Sequence, residues 1–226
     1  MDFVSSGRKL FKAHQQSLDL FYTNNIDSLI FETYQKLILE KLYSTNNKRK
    51  GTIFFVSCGK TLSICNKISN MLNSLDVSSR SLNANECLHG DIGSIDCSNP
   101  HNVVIFVSMT GDTSEVVRCF ETLEKKIEHS CLEKSEMPLF LSLTGRSTSL
   151  LHRKIKNEGG VSIPLNFDGI LSDDEIFLKA PTLSLQLLYL FMDCLFVDIV
   201  EQTASKEELS TQFFLNHPGG GLGKQQ

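Results

Sequence analysis

No C-x-x-C pair occurs among the seven cysteines, at positions 58, 65, 87, 97, 119, 131 and 194. The usual spacing of a structural zinc site is therefore missing, and no metal is expected. The number is odd, and several sit in apolar stretches, where a thiol packs as a small hydrophobe. A reduced, cytoplasmic protein is the expectation. Basic charge is not in excess either. Lysine and arginine number 22 against 26 acidic residues, a net charge of -4, which argues against a nucleic-acid partner. The basic run Lys48-Arg49-Lys50 reads as a solvated turn before the first strand. The first eight residues hold no continuous apolar region, so no signal peptide is expected. The longest apolar stretch, Leu183 to Val200, carries Ser184, Gln186, Asp193 and Asp198. Two carboxylates and a glutamine are expensive in lipid, so this segment reads as a buried helix and no membrane partner is expected. No internal repeat or low-complexity tract stands out.

What is present fits one globular domain. The chain has 226 residues, 41% of them apolar and 21% charged, enough to bury a sizeable core. Residues 7–43 show helical periodicity. Leu10, Phe11, His14, Leu18 and Phe21 mark one stripe, and Ile30, Tyr34, Leu37, Ile38 and Leu42 another, with a break at Asn24-Asn25. Short apolar runs then follow at 52–56, 102–107, 139–143 and, more weakly, 161–165, with Arg80-Ser81-Leu82 as a further short strand. Helical patterns lie between them, at 61–75, 113–128 and 147–157. Strands apolar on both faces, alternating with helices, predict βαβ units and a doubly wound parallel sheet.

In such a sheet ligands bind beyond the carboxyl ends of the strands, so the turns there carry the functional expectation. Ser57-Cys58-Gly59-Lys60-Thr61 follows the first strand; its glycine permits close backbone approach, and Lys60 and Thr61 can meet an anion. It is not a Walker A loop, because Phe54 stands where that motif needs glycine. Ser108-Met109-Thr110-Gly111-Asp112-Thr113-Ser114-Glu115 follows the 102–107 strand. Its hydroxyls at a helix start form a phosphate cradle, an N-cap, or both at once. Thr144-Gly145-Arg146-Ser147 reads as a helix cap. Ala180-Pro181-Thr182-Leu183-Ser184 opens the long apolar helix and offers Thr182 and Ser184 hydroxyls. His89 in His89-Gly90-Asp91-Ile92-Gly93, and His217 in the glycine-rich Asn216–Lys224 segment, sit on irregular backbone, where functional side chains concentrate.

Together these segments resemble the sugar isomerase (SIS) domain and, more narrowly, the arabinose-5-phosphate isomerase family. The resemblance runs over residues 5–224. It rests on His-Gly-Asp-Ile-Gly at 89–93, Thr-Gly-Arg at 144–146, Ala-Pro-Thr at 180–182, and His-Pro-Gly-Gly-x-Leu-Gly-Lys at 217–224. It implies a three-layer αβα sandwich with a five-stranded parallel sheet. Residues 1–226 would form a single SIS domain, with an N-terminal helical segment at 1–50 and an α/β core at 51–226. It also implies homo-oligomers with sites at subunit contacts, no cofactor, and interconversion of an aldose phosphate and a ketose phosphate. By resemblance, Lys60, His89 and His217 surround the sugar, while Ser108, Thr110, Gly111 and Thr113 hold its phosphate. Gly59, Thr61, Thr182 and Ser184 would support them. Asp112 and Asp173 stand for the family's carboxylates, with Asp174 and Glu175 beside the second. The sequence departs from the family at Ser57-Cys58-Gly59-Lys60-Thr61-Leu62, where two family glycines are gone. It departs again at Asp112, one methylene shorter than the usual glutamate, and at Leu183 and Leu185, which replace polar residues. Two functional expectations follow: an arabinose 5-phosphate/ribulose 5-phosphate isomerase, or a non-catalytic sugar-phosphate sensor on the same fold. The pair of CBS domains that many relatives carry is not within this sequence.

Overall fold

The computed structural model describes residues 3–27, 29–43, 49–165, 167 and 181–219. Five short strands form its centre: β1 (Ile53–Ser57), β2 (Ser79–Asn83), β3 (Val103–Ser108), β4 (Leu139–Thr144) and β5 (Val161–Pro164). All pairings are parallel, in the order β2-β1-β3-β4-β5. β1, β3 and β4 are almost wholly buried along their length, because helices cover both faces. Alternation sends Ile53, Phe55, Val103 and Ile105 into one core and Phe54, Val56, Val104 and Phe106 into the other.

Around the sheet stand α1 (Phe3–Phe21), α2 (Leu29–Leu42), α3 (Gly59–Ser74), α4 (Ala84–Cys87), α5 (Ser114–Ser130), α6 (Leu150–Asn157), α7 (Leu183–Glu201) and α8 (Lys206–Asn216). The first core is closed by Phe31, Ile38 and Leu42 of α2, Cys65, Ile68 and Leu72 of α3, and the buried apolar face of α7. The second is closed by α4, α5 and α6. The architecture is therefore the expected three-layer αβα sandwich, with N-terminal helices ahead of it. α7 is 19 residues long and apolar enough to span a bilayer by length and composition, with 56% of its most apolar window buried here. Two of its carboxylates have partners: Asp193 pairs with Lys67, and Asp198 accepts a hydrogen bond from the Gln35 amide.

Three details differ from the sequence expectations. The Asn24-Asn25 break is a π-helical turn at Tyr22–Ile26, with the Asn25 amide bonded to the Phe21 carbonyl. The α1 stripe enters the core only in part: Phe21 is buried there, but Phe11 is 65% and Leu18 41% exposed. α8 had no counterpart among the expected elements. Its apolar periodicity is weak, but Ser205 and Glu208 form a reciprocal capping box that fixes its start.

Candidate functional site

From β1 the chain turns outward to β2 through α3 on one face. From β3 it turns the other way to β4 through α5 on the opposite face. The chain therefore leaves the carboxyl ends of the paired strands β1 and β3 toward opposite faces, which makes this the topological switch point of the sheet, where a ligand crevice is expected. The two hydroxyl-rich turns singled out in the sequence flank this crevice on strands ~4.8 Å apart.

On the β1 side, Ser57 is buried and donates to the Val107 carbonyl at 2.8 Å, tying the two strands together. Gly59 takes φ 61° to turn the chain into α3, a conformation side-chain-bearing residues disfavour. Cys58, the N-cap of α3, supplies no side-chain hydrogen bond. Lys60 is exposed at the start of this helix and forms no ion pair with any described residue. Thr61 is half-buried next to it.

On the β3 side, the hydroxyls bind one another. Ser108 and Thr113 lie 2.8 Å apart, Thr110 and Thr113 3.4 Å apart, and the Ser108 hydroxyl also accepts from the Gly111 N–H at 3.0 Å. Thr113 is the N-cap of α5, yet its side chain does not cap the helix. The N-cap side chain therefore accepts from none of the first-turn N–H groups of this 17-residue helix. Glu115 responds to them. Its carboxylate takes a hydrogen bond from its own backbone N–H and one from the Ser114 hydroxyl, and these hold it below the usual carboxylate range. An exposed carboxylate drawn onto this turn is the behaviour of an anion-favouring helix terminus. The position of Glu115 right after the hydroxyl run was the signal for it in the sequence.

The third turn locks the second. The Gly145 N–H donates to the Met109 carbonyl at 2.9 Å, and the Leu151 N–H donates to the Gly111 carbonyl at 2.9 Å. Asp112 accepts from the Leu150 N–H at 2.8 Å and faces Arg146 at 3.9 Å. Its carboxylate thus helps cap α6, alongside Ser149, which accepts from His152 N–H at 3.4 Å. Gly111 has φ 68°, and a Cβ there would fall 2.2 Å from the Ser149 hydroxyl oxygen.

Thr182 sits at the start of α7. That helix runs beside α3, and the residues after its far end, Thr203 and Ala204, border one cavity with Leu75 and Asp76 beyond the end of α3. Thr182 is consequently on the same edge as the two turns. Its hydroxyl is buried with no hydrogen-bond partner among the described residues. Ser184 is buried just inside α7. His89 is exposed beyond α4, which leaves the carboxyl end of β2, so it too lies on this edge. His217 does not. The adjacent Asn216 amide donates to the Ser74 carbonyl at 3.2 Å, at the far end of α3. A helix of 16 residues places that point ~24 Å from Gly59. There the His217 ring stacks on Phe213 with centroids 4.0 Å apart, and its Nδ1 lies 2.7 Å from the Phe213 carbonyl. Asp173, with Asp174 and Glu175, lies outside the described residues, as does Lys224.

Comparison with known proteins bears on the fold and on similarity along the chain. No family model matches the chain. Arabinose 5-phosphate isomerase KdsD of Salmonella typhi is 25% identical over 224 residues, which is 99% of this chain and 58% of that protein. The chain thus spans a little over half the length of the curated relatives it matches. A solved Escherichia coli CFT073 protein in complex with arabinose 5-phosphate superposes with a TM-score of 0.68 at 21% identity, covering 96% of this chain and 100% of that one. The Vibrio vulnificus NanR protein complexed with ManNAc-6P gives 0.62 at 14% identity, covering 96% and 70%. The fold is the SIS fold. Along nearly its whole length the chain is similar to a little over half the length of the arabinose 5-phosphate isomerase KdsD sequences.

Proposed function

We propose that this protein binds a phosphorylated sugar at the β1/β3 crevice and isomerises it between aldose and ketose forms, with arabinose 5-phosphate and ribulose 5-phosphate as the pair. The observation that carries the reading is the uncapped amino terminus of α5, ringed by Ser108, Thr110 and Thr113 at the switch point, with the unpaired Lys60 on the neighbouring turn. Backbone N–H groups, hydroxyls and one cation suit a phosphate dianion. Gly59, Thr61, Gly111, Thr182 and Ser184 shape and extend this cradle. In the reaction a base removes the C2 proton of the aldose, the C1–C2 enediol forms as O1 takes a proton, and the carbon proton is delivered to C1 as O2 gives up its own. His89 is the side chain on the correct edge with an imidazole free to exchange these protons. Asp112 positions the turn through α6. His217 can join only if a second copy brings it to this edge, which fits the exposed apolar residues Phe11 and Leu18 of α1 as an assembly surface. All seven cysteines are free, in keeping with a reducing cytoplasm.

A second reading, sugar-phosphate binding without turnover, is favoured by one observation: the Asp112 carboxylate is engaged at α6 rather than aimed at the crevice. One experiment separates the two. Incubation with arabinose 5-phosphate or ribulose 5-phosphate in deuterated water should give deuterium at carbon, and His89→Ala should abolish it. Ligand-induced thermal stabilisation without any exchange refutes the isomerase reading and leaves the sensor.

A further inference from the structure

A cavity of about 270 Å³ lies far from the crevice, at the amino edge of the sheet, where α5 and α6 part over β4. Its walls are apolar. Phe120 and Phe140 meet edge to face with centroids 6.0 Å apart, and Ile127 closes one side. Its rim is acidic. Glu124 and Glu128 stand one helical turn apart near the end of α5, and Glu158 faces them from the end of α6. Like charges at this spacing repel, and the carboxyl end of α5 is where the helix dipole disfavours them. Lys134 is the cation on the rim. Lys154, outside the lining, is held 2.9 Å from Glu121 and also attracts Glu124 and Glu158. Burial, followed by the Glu158 charge, raises the Glu124 carboxyl above its usual range, with Lys154 pulling the other way. Three carboxylates around an apolar hollow lined by Phe140, Leu132 and Met137, against one lysine on the rim, are complementary to a cation that carries an apolar body.

We infer that this cavity is a binding site for a small organic cation, an ammonium group carried on an aromatic or aliphatic body. The ammonium would sit among Glu124, Glu128 and Glu158, and the body would lie against Phe140, Leu132 and Met137, with Phe120 buried behind them. The volume is just below the range of drug-sized pockets, ~300–1,000 Å³, so the guest is small. The site is independent of the sugar-phosphate crevice. It shares α5 with it, but at the opposite end of that helix.

The test is calorimetric titration of the full chain with 2-phenylethylamine, beside 2-phenylethanol (same body, no charge) and methylammonium (charge, no body). The amine should bind saturably at one site, with each control weaker by about tenfold or more, the ratio expected when one polar or apolar contact of ordinary strength is lost. Glu124→Gln should weaken the amine by about tenfold on the same grounds, whereas Lys60→Met should leave it unchanged. Equal binding of the alcohol, undiminished affinity in Glu124→Gln, or no saturable heat overturns the inference. Should Glu124→Gln not fold, Glu158→Gln serves the same comparison, and undiminished affinity there is equally decisive.

Discussion

Replacing Gly111 with alanine should damage the protein more than replacing Gly59, although both glycines occupy the left-handed region. Gly59 has φ 61° and Gly111 φ 68°. The backbone penalty for a side-chain-bearing residue is therefore about the same at both, ~1–2 kcal/mol. The surroundings differ. A Cβ at Gly59 meets nothing within 4 Å. At Gly111 it falls 2.2 Å from the Ser149 Oγ and 2.4 Å from its Cβ. Ser149 is buried and caps α6, so it cannot swing aside without freeing the His152 N–H. Overpacking of this kind adds roughly 1–3 kcal/mol. Urea unfolding should thus find Gly59→Ala destabilised by ~1–2 kcal/mol and Gly111→Ala by roughly 2–5 kcal/mol. For a chain of this size the extra term lowers the melting temperature by about 2–4 °C per kcal/mol. Ser149→Gly in the Gly111→Ala background removes both clashing atoms, and the double-mutant cycle should return a favourable coupling of roughly 1–3 kcal/mol. Equal losses at the two glycines, or a coupling near zero, would falsify the argument that contact with α6, and not φ alone, demands glycine at 111.

Two further outcomes follow from the same geometry. His152 is buried, with its Nδ1 2.7 Å from the Ser162 hydroxyl, which in turn bonds Ser142. Burial, and then Lys156, lowers its pKa, so the folded state favours the neutral ring. The unfolded chain binds this proton more readily, below pH ~6.5. Stability should therefore be full above that value, fall as pH drops through it, and level off below the depressed folded value. Denaturation midpoints between pH ~7.5 and ~5 should show the decline, and His152→Asn should flatten it; an unchanged slope in the variant would discard the assignment. Lys60→Met removes the cation at the crevice and should weaken arabinose 5-phosphate by about tenfold or more, the worth of a charge-assisted hydrogen bond. The wild-type affinity should also fall as salt rises. Calorimetry that finds the two proteins alike would remove Lys60 from the site.

Much of this fold was legible in the residues. β1 and β3 were visible at 52–56 and 102–107 because strands covered by helices on both faces carry unbroken apolar runs. The hydroxyl turn after β3 and the lysine turn after β1 were legible as turns because the residue types that the proposed anion site needs lie close together in the chain. α8 was not legible, since its apolar periodicity is faint and its start depends on two side-chain bonds of the capping box. The α1 stripe was visible, but not the direction it faces. Orientation is settled by what else competes for the sheet, and α2, α3 and α7 fill that face.

The sequence alone determined the alternating elements, the parallel sheet and the residue types of the proposed anion cradle, because each depends on residues near one another in the chain. Only the tertiary structure decided which turns meet. Strand order put the Lys60 and Ser108–Thr113 turns on either side of one crevice. It bound Asp112 to α6, 38 residues further along the chain, and carried His217 to the opposite edge of the sheet. Such long-range placement arises from strand order and from how helices share two faces of a sheet, and no local pattern of residues encodes it.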